Sequence, residues 1–145
     1  MTPRVFVTGG QGLVGKALAS RLVAEGQAVR VSTRQRLTNT SHRCECVRTT
    51  NLSSTTNWLH LLIMIDTVVH CAARVHVMHD TEADPLAAFR SVNVEGTLNL
   101  ARQAAAAGVK RFVFISSVKV NGESTQPGRA FSEADAPDPQ DAYGQ

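Results

Sequence analysis

An apolar run, a cluster of glycines and an amphipathic segment follow one another at the start of this chain, and that order restricts the fold more than anything else in it. Val5-Phe-Val7 reads as a short strand, Thr8-Gly-Gly-Gln-Gly-Leu-Val-Gly15 as a turn, and Leu13 to Glu25 as a helix. Leu18, Leu22 and Val23 recur at helical spacing, and Gly26 ends the helix. Gly10, Gly12 and Gly15 match a G-x-G-x-x-G spacing, whereas Gly9, Gly12 and Gly15 match a G-x-x-G-x-x-G variant. Both have the same physical meaning. One glycine permits the tight turn, Gly12 lets the backbone approach a pyrophosphate, and Gly15 lets helix and strand pack closely. The phosphates would then sit on the free amides and positive dipole at the helix N-terminus. Thr8, Gly9, Gly12, Leu13 and Gly15 are thus the first candidate cofactor-binding residues.

The rest of the chain continues the alternation. Ala28 to Thr33 reads as a second strand, Arg43 to Arg48 as a third, Thr67 to Cys71 as a fourth and Phe112 to Ile115 as a fifth. The fifth does not alternate, so it is expected to be buried on both faces. Thr55 to Ile65 is ambiguous in period and is read as a helix. A longer helix is expected from a cap at or just before Asp84 to about Ala107, ended by Gly108. Strands joined by helices of this length call for right-handed crossovers and a parallel sheet. The fold class is therefore α/β, a Rossmann-type doubly wound sheet of expected order 3-2-1-4-5, with its site where the order reverses. Residues 1–116 form the expected dinucleotide-binding domain. Residues 117–145, punctuated by Gly122, Pro127, Gly128, Pro137 and Pro139, form an expected active-site loop segment, incomplete at its C-terminus.

Composition bounds the function. The 145 residues suit one domain, and the net charge of +3 comes from scattered basic residues, which argues against nucleic-acid binding. The three cysteines lack a C-x-x-C pair, so zinc and a disulfide framework are disfavoured and a reducing cytoplasm is expected. Cys44 and Cys46 read as small core residues on one strand face. Met1 to Arg4 leads into a strand pattern without an apolar leader, and Asn51 to Ile65 is too short and too polar at its start to cross a bilayer.

About twenty residues after the glycine turn, NAD enzymes place a carboxylate for the ribose 2′-hydroxyl. Here Ser32-Thr33-Arg34 stands instead. Arg34 either pairs bidentately with a 2′-phosphate or is a solvated surface charge. The cofactor is accordingly NADP or NAD, with NADP slightly favoured. The missing carboxylate also counts against a methyltransferase, the main rival for such a loop.

Four further motifs complete a pattern: Asp66-Thr-Val-Val-His-Cys-Ala-Ala73, Asn93-Val-Glu-Gly-Thr97, Phe112-Val-Phe-Ile-Ser-Ser117 and Asp141-Ala-Tyr-Gly-Gln145. With the glycine turn they resemble, in order and spacing along the whole chain, the extended short-chain dehydrogenase/reductase family of nucleotide-sugar epimerases, dehydratases and ketoreductases. UDP-sugar 4-epimerases and 4-keto-reductases are nearest in character. The resemblance implies that Ala72 and Ala73 line the cofactor cleft. It implies that Ser117 hydrogen-bonds the reacting sugar oxygen and that Tyr143 is the acid/base, with hydride transfer at the sugar C4. It also implies a UDP-linked sugar substrate and a homodimeric full-length parent. The family's Tyr-x-x-x-Lys motif would place its lysine at position 147, so the chain as given is expected to be inactive. A phenol of pKa about 10 is a poor base without a neighbouring cation. Lys16, Lys110 and Lys119 are not placed to substitute. The chain departs from the family at Asn121, where many members have an aromatic, and at Asn51-Leu52, where Asp-Leu is common; an Asn can still accept a hydrogen bond from an adenine amino group.

Asn93 can be argued without the resemblance. Leu86, Phe89, Asn93, Gly96, Leu100 and Ala104 form one helical stripe, so a buried amide at 93 must find partners. It either ties the helix to strand four or five or steadies the active-site backbone. His76 and His79 flank a loop near the expected cleft, and a polar loop is favoured over a metal site that lacks a third ligand. The functional reading is the NAD(P)-binding portion of a nucleotide-sugar enzyme; the alternative is a non-catalytic NAD(P)-binding regulatory or redox-sensing module.

Overall fold

The computed structural model describes residues 4–34, 43–49, 51–75 and 83–145. Five parallel strands form the sheet: β1 (Arg4–Thr8), β2 (Ala28–Thr33), β3 (Cys44–Arg48), β4 (Thr67–His70) and β5 (Arg111–Phe114). Their order is β3-β2-β1-β4-β5, so the chain reverses direction across the sheet between β1 and β4. This is the doubly wound topology expected from the alternation of strands and helices.

Each strand divides its side chains between two cores. Phe6 and Val68 face a cluster with Trp58, Leu61, Leu62, Ile65, Leu100 and Ala104. Val5, Val7, Val29, Val31 and Val69 face the other cluster, with Ala19 of helix α1 (Leu13–Ala24). Cys44, Cys46 and Cys71 pack against this second cluster, and burial with the neighbouring Cys46 pushes the Cys44 thiol up to about 11. Helix α1 ends at Gly26 (φ 82°), where the Gly26 amide donates to the Val23 carbonyl and that of Gln27 to Leu22. That pair of bonds is a Schellman motif, which needs the left-handed conformation glycine adopts without strain.

Three expectations need correction. The long helix begins at Asp84, whose side chain accepts a bond from the Ala87 amide, but it is not continuous α-helix. Helix α2 (Pro85–Phe89) passes through a π-helical segment (Arg90–Gly96) into helix α3 (Thr97–Ala106), which ends before Gly108. Residues 55–65 are not a helix either; only Leu59–Leu61 makes a turn of 3-10 helix. Short polar side chains hold this stretch instead. Ser53 Oγ bonds Thr55 and Thr56, Asn57 Oδ1 accepts from the Leu59 amide, and Gln103 Oε1 accepts from the Trp58 amide. The bonds from Ser53 and Asn57 are local and compete with helical ones, whereas Gln103 reaches this stretch from α3. Finally, β5 is not buried on both faces. It is an edge strand in the described sheet, and Phe114 is 54% exposed.

One polar cluster inside the sheet went unread in the sequence. Arg30 on β2 is buried among the residues facing Trp58; its guanidinium donates to Glu45 at 2.9 Å and to the Leu61 carbonyl at 2.6 Å. Arg4 donates to the same Glu45 carboxylate. No helix among the described residues is long and apolar enough to cross a membrane.

Candidate dinucleotide site

Beyond the carboxyl ends of β1 and β4, the glycine turn closes against the segment that follows β4. Gly9 has φ 69°, and a Cβ on it would lie 2.8 Å from the Ala72 nitrogen. A Cβ on Gly15 would lie 2.3 Å from the Gly9 carbonyl oxygen, so the first turn of α1 presses directly on the glycine turn. Gly12 is different. Its Cβ would meet only the Gly9 oxygen, at 3.3 Å, leaving the other sides open. No side chain caps α1, and the first helical bond runs from the Lys16 amide to the Gly12 carbonyl. The amides of Leu13, Val14 and Gly15 therefore precede the first intrahelical bond. An open glycine facing uncapped amides fits the diphosphate of a dinucleotide.

Behind the turn lies a buried chain of hydrogen bonds. Thr8 is fully buried, and its Oγ1 accepts the amides of Cys71 and Ala72 at 3.1 Å each. Its own hydrogen is then left for His70 Nδ1, 2.6 Å away. His70 Nε2 in turn donates to Thr97 Oγ1 at 2.9 Å, at the start of α3. Burial lowers the His70 pKa to about 4, so the ring is neutral and has the one donor and one acceptor this chain requires. These contacts fix the backbone at Cys71 and Ala72, which forms the wall against Gly9. Asn93, in the π segment, fixes the next residue: its Oδ1 accepts the Arg74 amide at 2.7 Å and its Nδ2 donates to the Arg74 carbonyl at 3.0 Å. Ala73 lies between the two anchors. The bonds of Asn93 tie the helix to the segment that follows β4.

Arg34 and Asn51 line one cavity of about 510 Å³, together with Arg48 and Thr49. Leu52 turns away from it. A Cβ on Gly96 would lie 2.6 Å from Leu52 Cγ, so the Leu52 side chain packs against the helix.

The expected catalytic pair sits in the segment after β5. Ser117 Oγ accepts the Lys119 amide at 3.2 Å and opens a 3-10 turn over Val118–Val120. Tyr143 is half-buried, its ring 6.2 Å from that of Phe89 on α2, and Phe89 also carries the Arg74 guanidinium 5.4 Å from its ring centre. The turns bearing Ser117 and Tyr143 touch, since a Cβ on Gly144 would lie 2.7 Å from the Lys119 carbonyl. Lys119 is engaged: its ammonium bonds Glu123 and lies 3.2 Å from Asp141, and both carboxylates raise its pKa. It thus supplies no uncompensated charge to a nearby phenol. His76 and His79 lie outside the described residues.

The sheet order and the glycine turn beyond β1 define a Rossmann-type fold. Residues 5–145 match the family model described as the NAD-dependent epimerase/dehydratase family, and the chain belongs to that family. It is 41% identical to UDP-glucose 4-epimerase of Vibrio cholerae over 144 residues, 99% of this chain and 44% of that protein. It is 35% identical to 3-beta-hydroxysteroid dehydrogenase of Mycolicibacterium neoaurum over 135 residues, 86% of this chain and 37% of that one. Among solved structures, MoeE5 in complex with UDP-glucuronic acid and NAD superposes with a TM-score of 0.81 at 31% identity, covering 97% of this chain and 44% of that one. The chain thus spans less than half the length of these relatives.

Proposed function

We propose that this chain forms the NAD(P)-binding portion of a nucleotide-sugar 4-epimerase or 4-keto-reductase acting on a UDP-linked sugar. The observation that carries the reading is the cradle: a turn closed at Gly9 and Gly15, open at Gly12, and backed by a wall at Ala72. The likeness to UDP-glucose 4-epimerase supports the substrate class. Gly9, Gly12, Leu13 and Gly15 hold the diphosphate, with Thr8 buried behind them as the tie between the turn and the wall; Ala72, Ala73 and Asn93 shape the wall beside it. Arg34 and Asn51 receive the adenosine end, Arg34 favouring a 2′-phosphate and hence NADP, with Leu52 supporting the helix behind. When bound, a nicotinamide cofactor would supply the hydride acceptor or donor for the sugar carbon that carries the reacting hydroxyl.

The chain's own residues do the rest. Ser117 donates a hydrogen bond to the sugar oxygen, and the Tyr143 phenol moves the hydroxyl proton. In a chain extended to the length of its relatives, Tyr143→Phe lowers turnover by at least a hundredfold while cofactor affinity stays within about twofold. Near-normal turnover in that variant removes Tyr143 from the mechanism.

A further inference from the structure

The structure assigns a second cation to the adenosine end of the site: we infer that Arg48 determines cofactor specificity together with Arg34, the two guanidiniums seating a phosphate on the ribose 2′-oxygen. The inference rests on the reading of this sheet edge as a dinucleotide site. Strands β2 and β3 run parallel with Thr33 opposite Arg48, and the Thr49 amide donates to the Thr33 carbonyl at 2.9 Å. The two strands therefore end at the same level. Arg34 leaves β2 one residue beyond that pair, and Arg48 is the last residue of β3.

The cavity of about 510 Å³ between them is lined, among the described residues, by Arg34, Arg48, Thr49 and Asn51. That lining carries two positive charges and no carboxylate. Both arginines are exposed, and neither has an ion-pair partner among the described residues. Arg30, the other arginine of these two strands, is matched by Glu45.

The chemistry of the occupant follows from that imbalance. A ribose 2′,3′-diol needs an acceptor for its hydroxyl hydrogens, and a carboxylate supplies it in NAD enzymes. A phosphomonoester is acceptor-only and carries a charge of about −1.5 to −2 near neutral pH, which one guanidinium half neutralises and two complete. Arg is suited to this because its planar fork bonds two phosphate oxygens at once. Asn51 can still accept from the adenine amino group at the rim of the same cavity.

The test uses the 145-residue chain and two fragments without nicotinamide, 2′,5′-ADP and 5′-AMP, which differ only in the 2′-phosphate, by isothermal titration calorimetry. Wild type is expected to bind 2′,5′-ADP at least tenfold more tightly than 5′-AMP. Arg34→Ala and Arg48→Ala should each weaken 2′,5′-ADP by roughly tenfold or more, the scale of one charge-assisted contact, and leave 5′-AMP within about twofold. Arg48→Lys should recover only part of the loss. Both arginines are exposed, so the unfolding midpoints should match wild type and exclude misfolding as the cause. An unchanged 2′,5′-ADP affinity in Arg48→Ala, beside a loss in Arg34→Ala, overturns the role of Arg48 and leaves the NADP reading intact. Equal binding of the two fragments by wild type overturns the phosphate seat but not the dinucleotide site. Binding of neither fragment overturns both.

Discussion

Replacing Thr8 with Val exchanges a hydroxyl for a methyl of nearly the same size, at a residue with no exposed surface. Three partners lose their contact: the Cys71 and Ala72 amides and His70 Nδ1. A buried polar group left unpaired costs about 1–3 kcal/mol. The two amides are only partly buried and fall at the low end, about 1 kcal/mol each, while the buried imidazole is worth somewhat more. The added methyl returns roughly 0.8 kcal/mol. The balance is a loss of about 3 kcal/mol, out of a stability of roughly 5–15 kcal/mol for an ordinary domain. Thr8→Ser keeps the oxygen and removes only a methyl, so it should cost about 1 kcal/mol. Urea unfolding followed through Trp58, the single tryptophan and almost fully buried, measures both. A simple count of apolar burial ranks Val above Ser. The hydrogen-bond account ranks Ser above Val, and a Val variant within 1 kcal/mol of wild type, or a Ser variant as damaged as Val, refutes it.

Four further outcomes are expected. The unfolded chain protonates His70 near the ordinary 6.5, whereas the folded chain resists until about 4. Between those values the unfolded state binds more protons, so stability falls as pH falls, by up to roughly 3 kcal/mol; in His70→Gln that part of the pH profile should flatten. Glu45→Ala strips the carboxylate from buried Arg30 and should cost about 2 kcal/mol, a discount from a fully buried pair because Glu45 is half-exposed, whereas Arg4→Ala should cost under about 1 kcal/mol. Urea midpoints check both. Gly9→Ala sets a Cβ against the Ala72 backbone at positive φ and should abolish dinucleotide binding, read by titration, in protein that circular dichroism shows to be folded. Arg34→Asp should lower the ratio of NADP to NAD affinity by about tenfold or more; an unchanged ratio makes Arg34 a surface charge only.

What could be read from the chain was whatever depends on neighbours in sequence. Strand β2 from Ala28 to Thr33, the Asp84 cap and the glycine stops at 26 and 108 follow from local conformational preference. The strand order followed from the parallel crossovers. What escaped depends on contacts between distant segments. Arg30 sits between Val29 and Val31 on an alternating strand; a charge on the core-facing side there was a usable sign of a buried ion pair, but only the fold supplies Glu45 as its partner. His70 lies in an apolar strand in the same way, and its link to Thr8 and Thr97 crosses 62 and 27 residues. The π segment is invisible to a count of helical spacing, because Leu86, Phe89, Gly96 and Leu100 still share a stripe through it. Residues 55–65 misled because Leu59, Leu61, Leu62 and Ile65 mimic a helical face while Ser53, Thr56 and Asn57 hold the backbone elsewhere. Of the residues lining the cavity at the ends of β2 and β3, Arg34 and Asn51 stood out in the sequence as candidates. Arg48 did not, since only the register of β2 and β3 brings it to the same cavity.

The central claim is that the turn from Gly9 to Gly15 holds a dinucleotide. Calorimetric titration of the folded 145-residue chain with NAD, NADH, NADP and NADPH tests it most directly. Saturable binding at one site per chain is expected, lost in Gly9→Ala and stronger for the phosphorylated pair. Absence of saturable binding to all four, in protein with a cooperative unfolding transition, contradicts the account.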